Sequence, residues 1–247
     1  MFATSTPSPI LMKKSLALTL ALVSATAVAH AQDAGGFRIG IKGGATYANL
    51  AGKDVQQITG PTYDTDLSDR LLGFNAGLAF TIPLSSDGFF SFAPEVLVNR
   101  KGYQIEQKFK NPTGAISSLE IETKRKLTYI DVPLLAKINA GGLFFELGPQ
   151  VGYLARSSQD TETTTKFSDG RKDEAVSGES DGKSDLASFD IGAIAGLGYQ
   201  TEGGLSVGLR YNRGFNSLID TKNIDGEPKA FNDAFMLQVG YLLPLGK

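Results

Sequence analysis

One stretch limits the possible folds more than any other: KLTYIDVPLLAKINAGGLFFELGPQVGY, Lys126 to Tyr153. It reads as two long strands joined at Gly141-Gly142. On the first, Thr128, Ile130, Val132, Leu134, Ala136 and Ile138 share one face, and Leu127, Tyr129, Asp131, Pro133, Leu135, Lys137 and Asn139 the other. On the second, Leu143, Phe145, Leu147, Pro149, Val151 and Tyr153 alternate with Phe144, Glu146, Gly148, Gln150, Gly152 and Leu154. A period of two sustained over this length means strands with one apolar and one mostly polar face.

Most other segments repeat the pattern. Further strands are expected over Phe37–Ala48, Leu72–Leu84, Phe89–Asn99, Ser188–Gln200, Leu205–Asn212 and a closing segment from Phe235 to Leu243. That makes eight strands with alternating long and short connections. Ser85-Ser86-Asp87-Gly88, Gly141-Gly142 and Glu202-Gly203-Gly204 are the short turns, and long loops are expected near residues 49–70, 108–117, 157–185 and 213–230. A polar ribbon, Tyr103–Phe109 returning over Ser118–Arg125, flanks the second long loop. The 157–185 segment is the most biased, with eight acids and four bases, and reads as a surface loop or extended hairpin. Calcium there lacks the regular ligand spacing it needs.

Before the first strand, Lys13-Lys14, the apolar run Leu16–Val28 and Ala29-His30-Ala31 have the form of a secretory signal peptide. Cleavage after Ala31 makes Gln32 the first mature residue, with Met1–Leu11 a start-site extension ahead of Met12. Residues 1–31 are therefore leader and 32–247 a single domain. The mature chain keeps 22 of the 24 basic residues and all 26 acids, a net charge of −4. Mild acidity without a basic patch argues against nucleic acid as a partner. There is no cysteine, and the single histidine, His30, lies in the leader. Histidine triads and His/Cys zinc sites are unavailable, and no cofactor or metal is expected.

Alternation alone leaves open whether the apolar face meets lipid or a core, as in a soluble lipocalin-like barrel. Two features favour lipid. The polar face is crowded with glycine (Gly40, Gly44, Gly73, Gly77, Gly148, Gly152, Gly192, Gly196, Gly198, Gly208, Gly240), which suits the narrow interior of an eight-stranded barrel, where small residues make room for large ones. And aromatics bracket the apolar face. Phe37, Phe80, Phe90, Phe145, Tyr199 and Tyr241 lie toward the short turns, and Tyr47, Phe74, Tyr153, Phe189, Tyr211 and Phe235 toward the long loops. Ten residues from Phe37 to Tyr47 rise about 25 Å at ~3.3 Å per residue and roughly 40° of tilt, the height of an outer-membrane apolar band. Chains of this kind use such aromatics as interfacial girdles. Here tyrosine and phenylalanine would serve, since there is no Trp. The expected fold is an eight-stranded antiparallel up-and-down transmembrane β-barrel with both termini periplasmic.

The polar face is then the lumen. It carries Arg38, Lys42, Lys137 and Arg210 against Glu95, Asp131, Glu146 and Asp190, and unpaired interior charge is costly. We expect an ion-pair network that fills the barrel; a conducting path or a substrate-reading site is the other reading.

Several stretches resemble the PorT-type outer-membrane β-barrel family of Bacteroidetes-type bacteria: FRIGIKGGATYANL, PEVLVNRKGYQ, YIDVPLLAKIN with FELGPQVGYL, FDIGAIAGLGYQ with LSVGLRYNRGF, and MLQVGYLLPL. Together they cover most of the mature chain, and Tyr129 to Leu135 is the most specific. The resemblance implies a signal peptide, an eight-stranded barrel and outer-membrane residence, and one branch of the family is linked to protein secretion across that membrane. The chain ends Leu245-Gly246-Lys247 rather than on the aromatic residue that barrel-insertion machinery often reads, although Tyr241, Leu243 and Leu245 keep the alternation.

The leading functional expectation is a non-enzymatic outer-membrane barrel with a filled lumen and a structural or surface-interaction role. Its partners would be outer-membrane lipid, the insertion machinery, and an extracellular or secretion-complex partner. A narrow channel or secretion accessory is the alternative. An enzyme would have to use carboxylates or a Ser/Lys pair, and Asp131 with Glu146 is the one carboxylate pair on facing strands worth testing.

Overall fold

The computed structural model describes residues 36–52, 62–67, 69–220 and 229–245. The expected leader and its Ala31/Gln32 cleavage point lie outside them. Ten strands follow one another: β1 (Phe37–Ala51), β2 (Tyr63–Asp66), β3 (Leu71–Pro83), β4 (Phe90–Phe109), β5 (Ile116–Ala140), β6 (Leu143–Phe167), β7 (Glu174–Asp181), β8 (Phe189–Gln200), β9 (Leu205–Gly214) and β10 (Phe231–Leu245).

Eight of them close a ring. β1 pairs β3, then β4, β5, β6, β8, β9 and β10 follow in order, and β10 returns to β1, every pairing antiparallel. Phe37 stands opposite Leu245, so the two ends of the described barrel meet at one rim, the rim that carries the short turns. Closure leaves this part of the sheet without edges. At Gly141 and Gly142 φ is +60° and +92°, the pair of positive values that a two-residue hairpin of matching twist requires.

The alternation resolves as expected, apolar side out. Ile41, Leu72 and Leu147 are 65%, 71% and 62% exposed, whereas Leu97, Leu127 and Leu135 are almost wholly buried. A soluble barrel has the opposite arrangement, so the lipocalin-like reading falls. With this much apolar surface facing out, the belt needs hydrocarbon rather than water as its solvent.

Three long connections differ from plain loops. β5 and β6, each 25 residues, run far past the barrel rim. Of the two readings of 157–185, surface loop or extended hairpin, the hairpin holds, β6 continuing to Phe167 and β7 returning along it from Glu174 opposite Thr165 to Asp181 opposite Ser158. The 108–117 loop shrinks to a turn between β4 and β5, and part of the 49–70 loop is β2, paired with β4. The result is a five-stranded antiparallel fin in the order β2-β4-β5-β6-β7. The fourteen residues of β6 beyond Tyr153 extend about 45 Å along the strand at ~3.3 Å each. Ala155 is the extra residue of a bulge between Thr128↔Arg156 and Tyr129↔Leu154. It lies where the fin leaves the barrel and shifts the side-chain phase of β6, as bulges do. Below it odd-numbered residues of β6 face outward; above it even-numbered ones continue the outer surface.

Candidate functional site

The site is the barrel lumen. Near its middle, β9 carries Arg210 inward, fully buried. Its two terminal nitrogens donate to Glu95 Oε2 and Oε1 at 2.6 and 2.8 Å, and its Nε donates to Glu146 Oε1. Lys42 Nζ donates to Glu95 Oε1 at 2.6 Å and lies 4.0 Å from Glu146 Oε2. Four side chains from β1, β4, β6 and β9 thus alternate in charge across the barrel. The guanidinium's fixed fork suits such a junction. Glycine leaves the necessary space: a Cβ on Gly196 would stand 2.9 Å from both Arg210 Cγ and Glu146 Oε1, and one on Gly240 would stand 2.7 Å from Lys42 Cγ.

Toward the long-loop rim lies a second cluster. Lys101 is held between Asp131 Oδ2 at 3.1 Å and Asp190 Oδ2 at 2.9 Å, with its ammonium 4.8 Å from the centre of the Tyr129 ring. A polar chain leads away from it. Asn99 donates to Asp131 Oδ2 at 2.8 Å, Thr46 to Asn99 Oδ1 at 2.9 Å, Asn75 to Thr46 Oγ1 at 2.9 Å, and Gln238 to Asn75 Oδ1 at 2.6 Å. Met236 sits opposite Arg210 in register, with its sulfur 3.7 Å from Asn99 Nδ2, and packs in one apolar cluster with Ala93, Leu135 and Ile194.

An apolar cap closes the long-loop end. Leu50, Tyr103, Ile105, Leu127, Tyr129, Leu154, Leu186, Leu218 and Ala230 form a single buried cluster, built from inward-facing strand residues and from loops that fold over the rim. At the opposite end Lys137 donates to Gln200 Oε1 at 2.5 Å and lies 4.2 Å from the centre of the Phe144 ring. At the base of the fin, Arg125 donates to Asp185 at 2.6 and 2.8 Å, to Ser157 Oγ at 3.1 Å and to the Gly182 carbonyl at 3.1 Å. Those hydrogen bonds hold the Asp185 carboxyl below its ordinary pKa.

Set against the sequence expectation, the eight named lumen charges do not form one network. Lys42, Glu95, Glu146 and Arg210 come together. Asp131 and Asp190 join a separate cluster around Lys101, which the sequence reading omitted. Lys137 and Arg38 make no ion pair among the described residues. Arg38, at the open rim where β1 begins, is partly exposed and keeps its hydration. The facing Asp131 and Glu146 are not brought together either, since each is held by different cations. The interior balance of four cations and four anions holds with Lys101 in place of Arg38.

The aromatics fall into two outward groups. At the long-loop side Tyr47, Phe235 and Tyr211 are consecutive partners in register, with the Tyr211 and Phe235 ring centroids 5.0 Å apart. Tyr153 pairs with Phe189 at 5.6 Å, and Phe74 is half exposed. Toward the short turns, Phe37 and Phe80 are in contact at 6.2 Å, and Phe90, Phe145, Tyr199 and Tyr241 are exposed. Phe89, equally exposed there, was not singled out.

Comparison with known proteins gives the following. The family model described as "Outer membrane protein beta-barrel domain" matches residues 30–220. The fold is similar to that of Ail, the attachment invasion locus protein of Yersinia pestis, at 13% identity and a TM-score of 0.39, over 84% of this chain and 99% of that one. It is similar to the outer membrane protein OprG from Pseudomonas aeruginosa at 14% identity and a TM-score of 0.31, over 87% and 99%. The outer membrane protease OmpT from Escherichia coli gives 11% identity and a TM-score of 0.35, over 85% and 97%. No curated protein sequence matches the chain significantly.

Proposed function

The chain belongs to the outer membrane protein beta-barrel domain family, and from that premise we propose that it is a plugged, non-enzymatic outer-membrane barrel that works through the fin it raises above the bilayer. The observation that carries this reading is the lumen: ion pairs, a hydrogen-bonded polar chain and an apolar cap fill the barrel in succession. Such a succession of packed side chains supports a lumen closed to solutes. What remains available to a partner is the fin, whose outer strand β7 pairs on one side only among the described residues. In this reading the short turns and both barrel ends face the periplasm, and the two aromatic groups mark the membrane interfaces. The partner is extracellular or part of a secretion complex, and the resemblance of several stretches to PorT-type proteins supports the secretion setting.

Planar-bilayer recording of the purified protein tests the plug. We expect no discrete conductance; stepwise channels would establish the pore reading instead. Deleting residues 158–184 tests the fin. The shortened chain should still insert as a heat-modifiable barrel and should lose the surface attachment that the intact protein confers on cells displaying it. Retained attachment would move the activity elsewhere.

A further inference from the structure

The outer surface is layered in charge. Just above the long-loop aromatics it carries six cations: Arg70, Arg100, Lys126, Arg156, Lys183 and Arg213. Arg70 lies 5.0 Å from the Phe235 ring centroid and 5.9 Å from that of Tyr47, and Lys183 lies 5.2 Å from that of Tyr153. This places their charges at the level of the aromatic group. Arg100, Thr128 and Arg156 are successive partners across β4, β5 and β6. Three acids pair with members of this ring: Asp233 with Arg70 and Arg213, Asp160 with Lys126, and Asp181 with Arg156. Counting Asp69, exposed beside Arg70 in sequence, the ring has six cations against four acids among the described residues. Arg100 and Lys183 make no ion pair among the described residues.

The other levels differ. Higher on the same outer face Asp66, Glu106, Glu122 and Glu162 stand opposite one another across four strands. At the short-turn rim the outward strand positions are apolar, and the turns bring Asp87 and Glu202. Lys108, Lys124 and Lys166 share that higher face but are outnumbered by its acids, so among the described residues an excess of positive charge on the outer surface is found at one height, at the edge of the apolar band, where a bilayer presents its headgroups.

We propose that this ring is a binding site for phosphate-bearing lipid headgroups in the leaflet at the long-loop end. Arg100 and Lys183 have no acid to give up in taking the phosphate, the Lys183 ammonium being positioned by a hydrogen bond to the Leu154 carbonyl at 3.0 Å, while Arg70 is held by aromatic faces and Asp233 in position to share it. Guanidinium offers paired donors to phosphate oxygens, and lysine a point charge. The site rests on membrane residence but not on the role of the fin, and it stands or falls separately from the plug.

The test reconstitutes the full chain in phosphatidylcholine vesicles containing spin-labelled phosphatidic acid or spin-labelled phosphatidylcholine, and compares the motionally restricted fractions. One added headgroup charge contact at about 1 kcal/mol predicts roughly fivefold enrichment of phosphatidic acid. Arg100→Gln with Lys183→Gln should abolish most of it without changing heat modifiability. Lys124→Gln, higher on the fin, should leave it unchanged. Equal restriction of the two lipids, or enrichment that survives the double substitution, overturns the proposal. Loss of enrichment on adding inorganic phosphate at constant ionic strength would show a site for the free anion, and would overturn the lipid assignment.

Discussion

At the residue scale, the interior depends on pairs that each need the other. Arg210 neutralises two carboxylates at once, and neither has access to bulk water. Arg210→Ala leaves Glu95 and Glu146 sharing Lys42 alone, and breaking a buried pair costs about 3–5 kcal/mol. We expect a loss of that size in urea unfolding from lipid vesicles, and a comparable loss for Lys101→Ala, which abandons Asp131 and Asp190 together. Space is as constrained as charge. Gly240→Ala places a methyl 2.7 Å from Lys42 Cγ and 2.9 Å from Ser206 Oγ, and overpacking of this kind costs about 1–3 kcal/mol. Gly178→Ala, with nothing within 4 Å of the added carbon, should leave the unfolding curve unchanged. Much of this interior was legible from alternation: Lys42, Glu95, Glu146 and Arg210 each sit on the polar side of their strand. Lys101 was missed for a physical reason. Arg100-Lys101-Gly102 breaks the apolar pattern between Asn99 and the polar ribbon that starts at Tyr103, so the pattern assigns these residues to neither face, yet Lys101 has the parity of Glu95 and projects inward because the strand continues. Arg38 erred the other way. It has the right parity, but stands at the rim, where water competes for its charge.

At the element scale, the fin's β4 and β5 follow the polar ribbon expected over Tyr103–Phe109 and Ser118–Arg125, and β6 with β7 forms the extended hairpin that 157–185 left open; what the sequence did not reveal is β2 and the joining of these pieces into one sheet. Thr161 to Thr165 are polar and β7 has only Ala175 and Val176 as apolar residues, so composition alone leaves this stretch between loop and hairpin. The phase shift at Ala155 hides the continuity further. The element that ties β7's end to the barrel is Arg125 with Asp185. The Asp185 carboxyl titrates below its ordinary value in the folded chain, so its contribution is complete above the unfolded pKa of about 3.9 and fades as pH falls through the lower folded value. Hydrogen exchange at β7 amides, corrected for intrinsic rates, should therefore be flat from pH 7 to about 5 and lose protection below about 4. Asp185→Asn should exchange faster at neutral pH and show no such step.

At the scale of the whole molecule, everything follows from which face the strands turn outward. Val239 lies between Phe235 of one aromatic group and Tyr241 of the other, is 55% exposed and pairs with Gly43 and Val207. In a water-soluble barrel an arginine at so open a position would be nearly neutral. In hydrocarbon it must carry its charge to the middle of the apolar band, at a cost of about 2–4 kcal/mol, and the cost declines to about 0–1 near either interface. Val239→Arg should accordingly destabilise the protein in vesicles by that larger amount, whereas Leu243→Arg, one outward position beyond Tyr241 toward the short-turn rim, should cost little. Because the two sites share a strand, a face and a degree of exposure, depth in the bilayer is the variable that separates them. Unfolding free energies measured for both in the same lipid decide the matter. A steep difference locates the hydrocarbon between the two aromatic groups, and equal, small losses would mean that the belt does not face lipid.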